Sequence, residues 1–308
     1  MTTVSSGVVS SGLIVSSGSS VSVGSGGTTI GTIILAGGSE TVGLFGLASA
    51  SLVSSGGTQI LAQGTARGTI VNGGSETVGG GGFLSAATVL NGGIEYISNG
   101  GQARADIVSS GGTETADAGG FAISTMVLNG GRQVLSNAAD AYGTVVSSGG
   151  TQLVSSGAND DASIIDSGGF AKVLAGGSAS GAILSGGFLE IASGGTAGAS
   201  QINFTTSGGT LQLDQSVNFH GVISGFGVPG AIDLRDISFL GSATTLGYSD
   251  LGTSGTLTVS DGTNTATLNL LGHYVAGNFA SQADGNGGTL ITDPPVAGLS
   301  MLAGTPHS

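Results

Sequence analysis

The chain has no cysteine and no tryptophan, four prolines, three histidines, and five basic residues against eighteen acidic ones. Without cysteine there are no disulfides, thiolate metal centres or thiol nucleophiles. The cations are Arg67, Arg104, Arg132, Lys172 and Arg235. They form no basic footprint for a phosphate backbone or an anionic lipid surface, so nucleic acid is not an expected partner. Negative charge is spread along the chain: −7 in residues 1–200 (eleven acidic, four basic) and −6 in residues 201–308 (seven acidic, one basic). That balance is ordinary for a soluble extracellular protein. No run approaches the length of a membrane-spanning helix, and membrane insertion is not expected. Met1 to Ser20 has no Lys or Arg and no sustained apolar stretch, unlike a conventional signal peptide. Export is expected to be encoded elsewhere or to act through the C-terminal end.

What is abundant is glycine, 63 of 308 residues, while charged residues are only 7%. Glycine excess alone suggests disorder. Its placement argues for order. In Thr144 to Gly169, TVVSSGGTQLVSSGANDDASIIDSGG, a β-branched pair, two small polar residues and Gly-Gly open and close the stretch. The second glycine of that signal recurs at Gly38, Gly57, Gly74, Gly93, Gly112, Gly131, Gly150, Gly169 and Gly187, at spacings of 19, 17, 19, 19, 19, 19, 19 and 18. A second turn is expected eight residues after each marker from Gly74 onward, so each period reads as two short runs and two sharp turns.

A fixed period of this length is the signature of a solenoid, whose units bury their apolar faces only by stacking. The runs are short and rich in Val, Ile, Leu and Thr, which makes them strands. Four residues after the marker stand Val42, Leu61, Val78, Ile97, Ala116, Leu135, Val154, Val173 and Ile191. Fifteen after it stand Val53, Val89, Val108, Val127, Val146, Ile165 and Leu184, with Val71 displaced by the short third unit. Two such ladders predict an all-β parallel β-helix of about ten 19-residue coils over residues 1–200. At about 4.8 Å per coil the rod is roughly 50 Å long.

From Gln201 the Gly-Gly rhythm fades. Thr210 to Leu213, Val222 to Phe226, Ala231 to Leu234, Gly255 to Val259, Thr265 to Leu271 and Thr289 to Thr292 read as strands between Gly, Asn and Asp turns. Residues 201–294 are expected to form a β-rich cap covering an edge that could otherwise pair with other chains. Pro294-Pro295 ends it, and residues 295–308 read as a flexible tail.

The units VVSSGGTQLVSSG at Val145 to Gly157 and LVSSGGTQILAQGTARGTIVNGG at Leu52 to Gly74 resemble the repeat of AIDA-type autotransporter adhesins over roughly the first two thirds of the chain. That resemblance implies a right-handed parallel β-helix, a cell-surface address, adhesion or aggregation as the activity, and serine glycosylation within the repeats. The serines matching the repeated position are Ser54, Ser55, Ser109, Ser110, Ser147 and Ser148. The resemblance does not extend to the family's C-terminal membrane barrel, for which the residues after the repeats are too few. VISGFGVPGAIDLRDI at Val222 to Ile237 instead looks like a segment that follows repeat arrays in proteins exported by type I secretion.

Two residues after the marker runs a polar ladder: Glu40, Gln59, Glu76, Glu95, Glu114, Gln133 and Gln152. Strict alternation places it on the same face as the apolar ladder, where carboxylates are costly. The expectation is a backbone bend that leaves the ladder solvated. The alternative is that Glu76, Glu95 and Glu114, on successive coils, share a proton or a bound cation. Asp160, Asp161 and Asp166 form the densest acidic cluster and read as turn formers. Asp261 to Asn264 (DGTN) and Asp284 to Gly288 (DGNGG) are oxygen-rich turns without a calcium-binding nonapeptide repeat. His220, His273 and His307 are too scattered for a zinc set. No catalytic residue, cofactor or metal is expected.

The function these features point to is non-enzymatic: a secreted or cell-surface solenoid mediating adhesion, aggregation or biofilm contacts. Its partners would be surface or matrix glycans and proteins, or copies of itself. The alternative is a β-helix enzyme that processes polysaccharides, whose chemistry needs paired carboxylates.

Overall fold

The computed structural model describes residues 1–155 and 157–293. Pro294-Pro295, the tail at 295–308 and His307 lie outside the described residues. Each regular coil is built from three short strands rather than the two expected. In the coil that follows Gly131 they are Arg132–Leu135, Asp140–Tyr142 and Val145–Val146. Like strands of successive coils pair in parallel and make three sheets of 15, 10 and 15 strands. Ten coils carry all three strands, as the ten-stranded second sheet records. The array is a parallel β-solenoid, as expected, and shorter two-stranded turns extend it beyond the ten coils.

The missed corner lies twelve residues after the marker and has no Gly-Gly signal. Gly143 and Gly181 occupy it with positive φ, but so do Ala86, Ala105, Ser124 and Ala162, at φ of 56°, 59°, 57° and 58°. Left-handed backbone disfavours residues with a Cβ by about 1 kcal/mol or more, so sequence reading assigns no turn to an alanine. Here the ladders on either side hold it in place. The Ala105 N–H donates to the Ile123 carbonyl of the next coil at 2.8 Å.

The Gly-Gly corner shows why both glycines are needed. Gly149 sits at φ 75°, and its N–H donates to the Gly168 carbonyl of the next coil at 2.9 Å. Gly150 has ordinary backbone angles, but a Cβ there would overlap the carbonyl oxygen of Val127 in the preceding coil. One glycine permits the turn and the other permits the coils to approach.

Both apolar ladders are interior. Val42, Leu61, Val78, Ile97, Leu135 and Val154 are fully buried, as are Val53, Val71, Val89, Val108, Val127 and Val146. The second sheet contributes mostly small residues, with Ala48, Ala66, Ala103, Ala122 and Ala141 at its inward position and Leu84 and Asp160 the larger ones there. Small side chains there keep the three-sided bore narrow, as close packing demands.

After Phe188–Ile191 the first and third sheets continue while the second ends. Thr210–Leu213 and Ala231–Leu234 extend the first in parallel, and antiparallel Thr289–Thr292 and Ala280–Ala283 close it. The third runs through Ile202–Phe204, Val222–Ser224 and Thr265–Leu271 to antiparallel Ser254–Ser260 and Thr245–Asp250. Phenylalanines fill the space left by the missing sheet. Phe204 and Phe226 meet edge to face at 5.4 Å, and Phe219 and Phe279 are also buried in this core.

Replacing Gly150 by Ala forces two coils apart, and overpacking of this kind costs about 1–3 kcal/mol. Urea unfolding of Gly150→Ala should show that loss. Ser148→Ala, at an exposed position of the same corner, should unfold like the parent chain.

Candidate functional site

The most unusual chemistry of the chain is inside the solenoid. Glu40, Gln59, Glu76, Glu95, Glu114, Gln133 and Gln152 are all fully buried. The expectation of a solvated ladder is therefore corrected. No bend intervenes; strict alternation within strands such as Thr113–Ala116 turns Glu114 inward beside Ala116. The ladder is in register, Glu76 opposite Glu95 and Glu95 opposite Glu114.

Burying such groups is tolerable only where donors replace water, and a second column supplies them. Thirteen residues after the marker, at the start of the third strand, stand Ser51, Ala87, Asp106, Thr125, Thr144 and Ser163, with Thr69 at the equivalent place in the short unit, all buried. The Glu40 carboxylate accepts from Thr29 at 2.8 Å, Thr32 at 3.0 Å, Ser51 at 3.0 Å and Gln59 Nε2 at 2.7 Å. Glu114 accepts from Thr125 at 3.1 Å to each oxygen and from Gln133 Nε2 at 2.7 Å. Gln133 Oε1 accepts from Gln152 Nε2 at 2.9 Å and Thr144 at 3.2 Å.

Two coils break the pattern. In the coil of Glu76 the second column holds Ala87, and neither carboxylate oxygen of Glu76 has a partner. In the coil of Glu95 it holds Asp106, so a carboxylate meets a carboxylate. Both Glu95 oxygens and Asp106 Oδ2 are also without partners; Asp106 Oδ1 accepts from the Ala87 N–H at 2.6 Å. Burial, reinforced by the Asp106 charge, holds Glu76 and Glu95 well above the usual carboxylate range. Burial pushes Asp106 up to about 8, and it pushes Glu114 to about 7 against the pull of its Gln133 and Thr125 bonds. One oxygen each from Glu95, Asp106 and Glu114 fall within 4.8 Å of one another. Asp106 escaped the sequence reading, although it is the one carboxylate among Ser, Thr and Ala in its column.

The remaining candidates separate. Asp160, Asp161 and Asp166 do not converge and do not sit in a turn. Asn159–Asp161 and Ile164–Asp166 are strands, so Asp160 points into the bore and Asp161 to solvent. Asp160 Oδ1 accepts from Ser163 at 2.6 Å and Gln152 Nε2 at 2.9 Å. Asp261 accepts from the Thr263 and Asn264 amides at 2.8 and 2.7 Å, and Asp284 from Asn286 and Gly288 at 2.7 and 2.8 Å. These carboxylates close their own turns, and Asp284 also pairs with Arg235 at 2.5 Å.

Outside, the serines of the Gly-Gly corner are accessible. Ser55, Ser110 and Ser148 are exposed, and Ser54, Ser109 and Ser147 partly so. The outer face of the first sheet presents Thr58, Thr77, Thr113, Thr115 and Thr151 between the exposed apolar side chains of Ile60, Ile94 and Tyr96. Among the described residues no helix is long and apolar enough to cross a membrane.

No protein-family model matches the chain, and no curated protein matches it. Among solved structures, the chain is similar to a TibC-catalysed, hyper-glycosylated fragment of TibA, residues 55–350. The two share 28% identity over 71% of this chain and 93% of that one, with a TM-score of 0.49.

Asp160 gives a pH dependence that checks the interior placement. Burial pushes it from an ordinary 3.8 to about 6 despite its bonds to Ser163 and Gln152. The folded chain therefore holds this proton more tightly than the unfolded one. The resulting stability is fully present below about pH 4 and is lost as pH rises through about 6. Asp160→Asn keeps an acceptor oxygen and removes the titration, so its urea midpoint should fall less than the parent's between pH 4 and 7.

Proposed function

We propose that this chain is a secreted or surface-displayed adhesin-like solenoid, acting through many weak contacts along its outer face. The observation that supports this most is the registered exterior: outward side chains of successive coils stand directly across from one another, as Thr77, Tyr96 and Thr115 do across three strands. A ligand or second chain with a matching repeat engages several coils at once, and linked weak contacts multiply into avidity. The resemblance of the SSGGTQ units to adhesin repeats supports the same reading. The partners this face suits are polar and neutral, such as glycans, matrix proteins or copies of this chain. Its threonine and serine hydroxyls offer hydrogen bonds, and Ile60, Ile94 and Tyr96 offer apolar contact. Exposed Ser55, Ser110 and Ser148 are the positions from which attached sugars would project. Adhesion, aggregation and biofilm contact are the activities in which such a surface serves.

The test is a cell-binding and cell-aggregation assay with the purified 308-residue chain. The chain should clump or coat cells, and the double variant Thr77→Glu, Thr115→Glu should bind roughly tenfold less with an unchanged circular dichroism spectrum. A well-folded parent chain that neither binds nor clumps cells removes the proposal. A double variant that binds as well as the parent removes this face from it.

A further inference from the structure

Glu95, Asp106 and Glu114 lie at the middle of the ten three-stranded coils, where the interior polar column departs from its own rule. At every other Glu of the ladder except Glu76, the carboxylate receives hydroxyl and amide donors, four of them at Glu40. Glu95 is fully buried and receives none, and Asp106 Oδ2 and both oxygens of the neighbouring Glu76 are likewise unpartnered. Bare carboxylate oxygens in a closed bore represent a large desolvation cost with nothing in the protein to offset it. Their charge has to be offset by a proton or by a bound cation.

We infer that Glu95, Asp106 and Glu114 bind a hard divalent metal cation inside the solenoid, with calcium the ion to test first. The geometry fits the size of such a sphere. Calcium–oxygen distances of about 2.3–2.6 Å allow ligand oxygens up to about 5 Å apart, and one oxygen from each residue lies within 4.8 Å of the others, close enough for one ion to touch all three. The donors are oxygen only, which selects a hard cation over zinc or copper. Glu95 offers both oxygens and Asp106 offers Oδ2. Glu114 Oε2 accepts a single bond, from Thr125, which leaves it acceptor capacity. The second coordination layer is in place as well. Thr125 and Gln133 orient Glu114, and the Ala87 amide holds Asp106 by its other oxygen. Because the ligands come from adjacent coils, the ion links the stacking of one coil on the next, and metal binding is coupled to folding. Protons shared among the carboxyls are the competing account.

The column itself supplies variants that preserve the fold. Gln59, Gln133 and Gln152 occupy the Glu95 position in other coils, and Thr125 and Thr144 occupy the Asp106 position. Glu95→Gln and Asp106→Thr therefore introduce side chains the bore already accommodates. The full chain is unfolded in urea with EDTA at pH 8 and refolded into calcium, magnesium, manganese or EDTA. Free ion is then removed on a desalting column. Elemental mass spectrometry should find one calcium per parent chain, with a melting temperature several degrees above that of the EDTA-refolded chain. Both variants should fold by circular dichroism, retain no stoichiometric calcium and melt at the same temperature with or without it. A parent chain that retains none of the three metals and melts identically in EDTA overturns the inference in favour of shared protons. Full calcium retention by both variants overturns it too, by placing the ion elsewhere.

Discussion

Everything in this molecule depends on the coil-to-coil register of its parallel main-chain hydrogen bonds. A strand of two to four residues has no stability alone, and a single coil cannot bury its own apolar face. Once coil n+1 sits on coil n in exact register, each interior position becomes a column of like residues. Val53 to Val146 stack into an apolar ladder, and the glycine corners let one backbone rest directly on another. The nineteen-residue period serves that register, and the shorter spacing before Gly74 is absorbed without losing it, since Gln59 still pairs with Glu76.

The same register makes the interior polar column possible and makes it hazardous. Stacked glutamines satisfy one another, amide nitrogen to amide oxygen, from Gln152 to Gln133 and on to Glu114. Stacked glutamates cannot, because every carboxylate is acceptor-only when ionised. Glu40 and Glu114 are partnered with Ser51 and Thr125 alongside, and the column's glutamates are left bare where Ala87 and Asp106 stand instead. The exterior carries no comparable tension. There the repetition is free to serve contact with other molecules, and charge is scarce enough that threonine, serine and a few large apolar side chains set its character.

Much of this was legible in the chain. Gly-Gly spacing and two phased apolar ladders specified a β-solenoid, its period and about ten coils, because glycine placement and β-branched periodicity are local signals. The third strand of each coil was not legible, since its corner is turned by Ala86, Ala105, Ser124 and Ala162 in a left-handed conformation that no local preference favours. Asn159–Asp161 reads as a turn by composition and is a strand by position, for the neighbouring coils provide its partners.

The sequence by itself determined the repeat and that a regular period-two strand puts Glu114 and Ala116 on one side; it did not exclude the bend that was expected to part them. Only the tertiary structure decided that this side is sealed from water, that Asp106 from one strand meets Glu95 and Glu114 from another, and that no donor reaches Glu95. Those outcomes depend on how three sheets close around a narrow bore. That closure is a property of stacked coils and of no single stretch of chain.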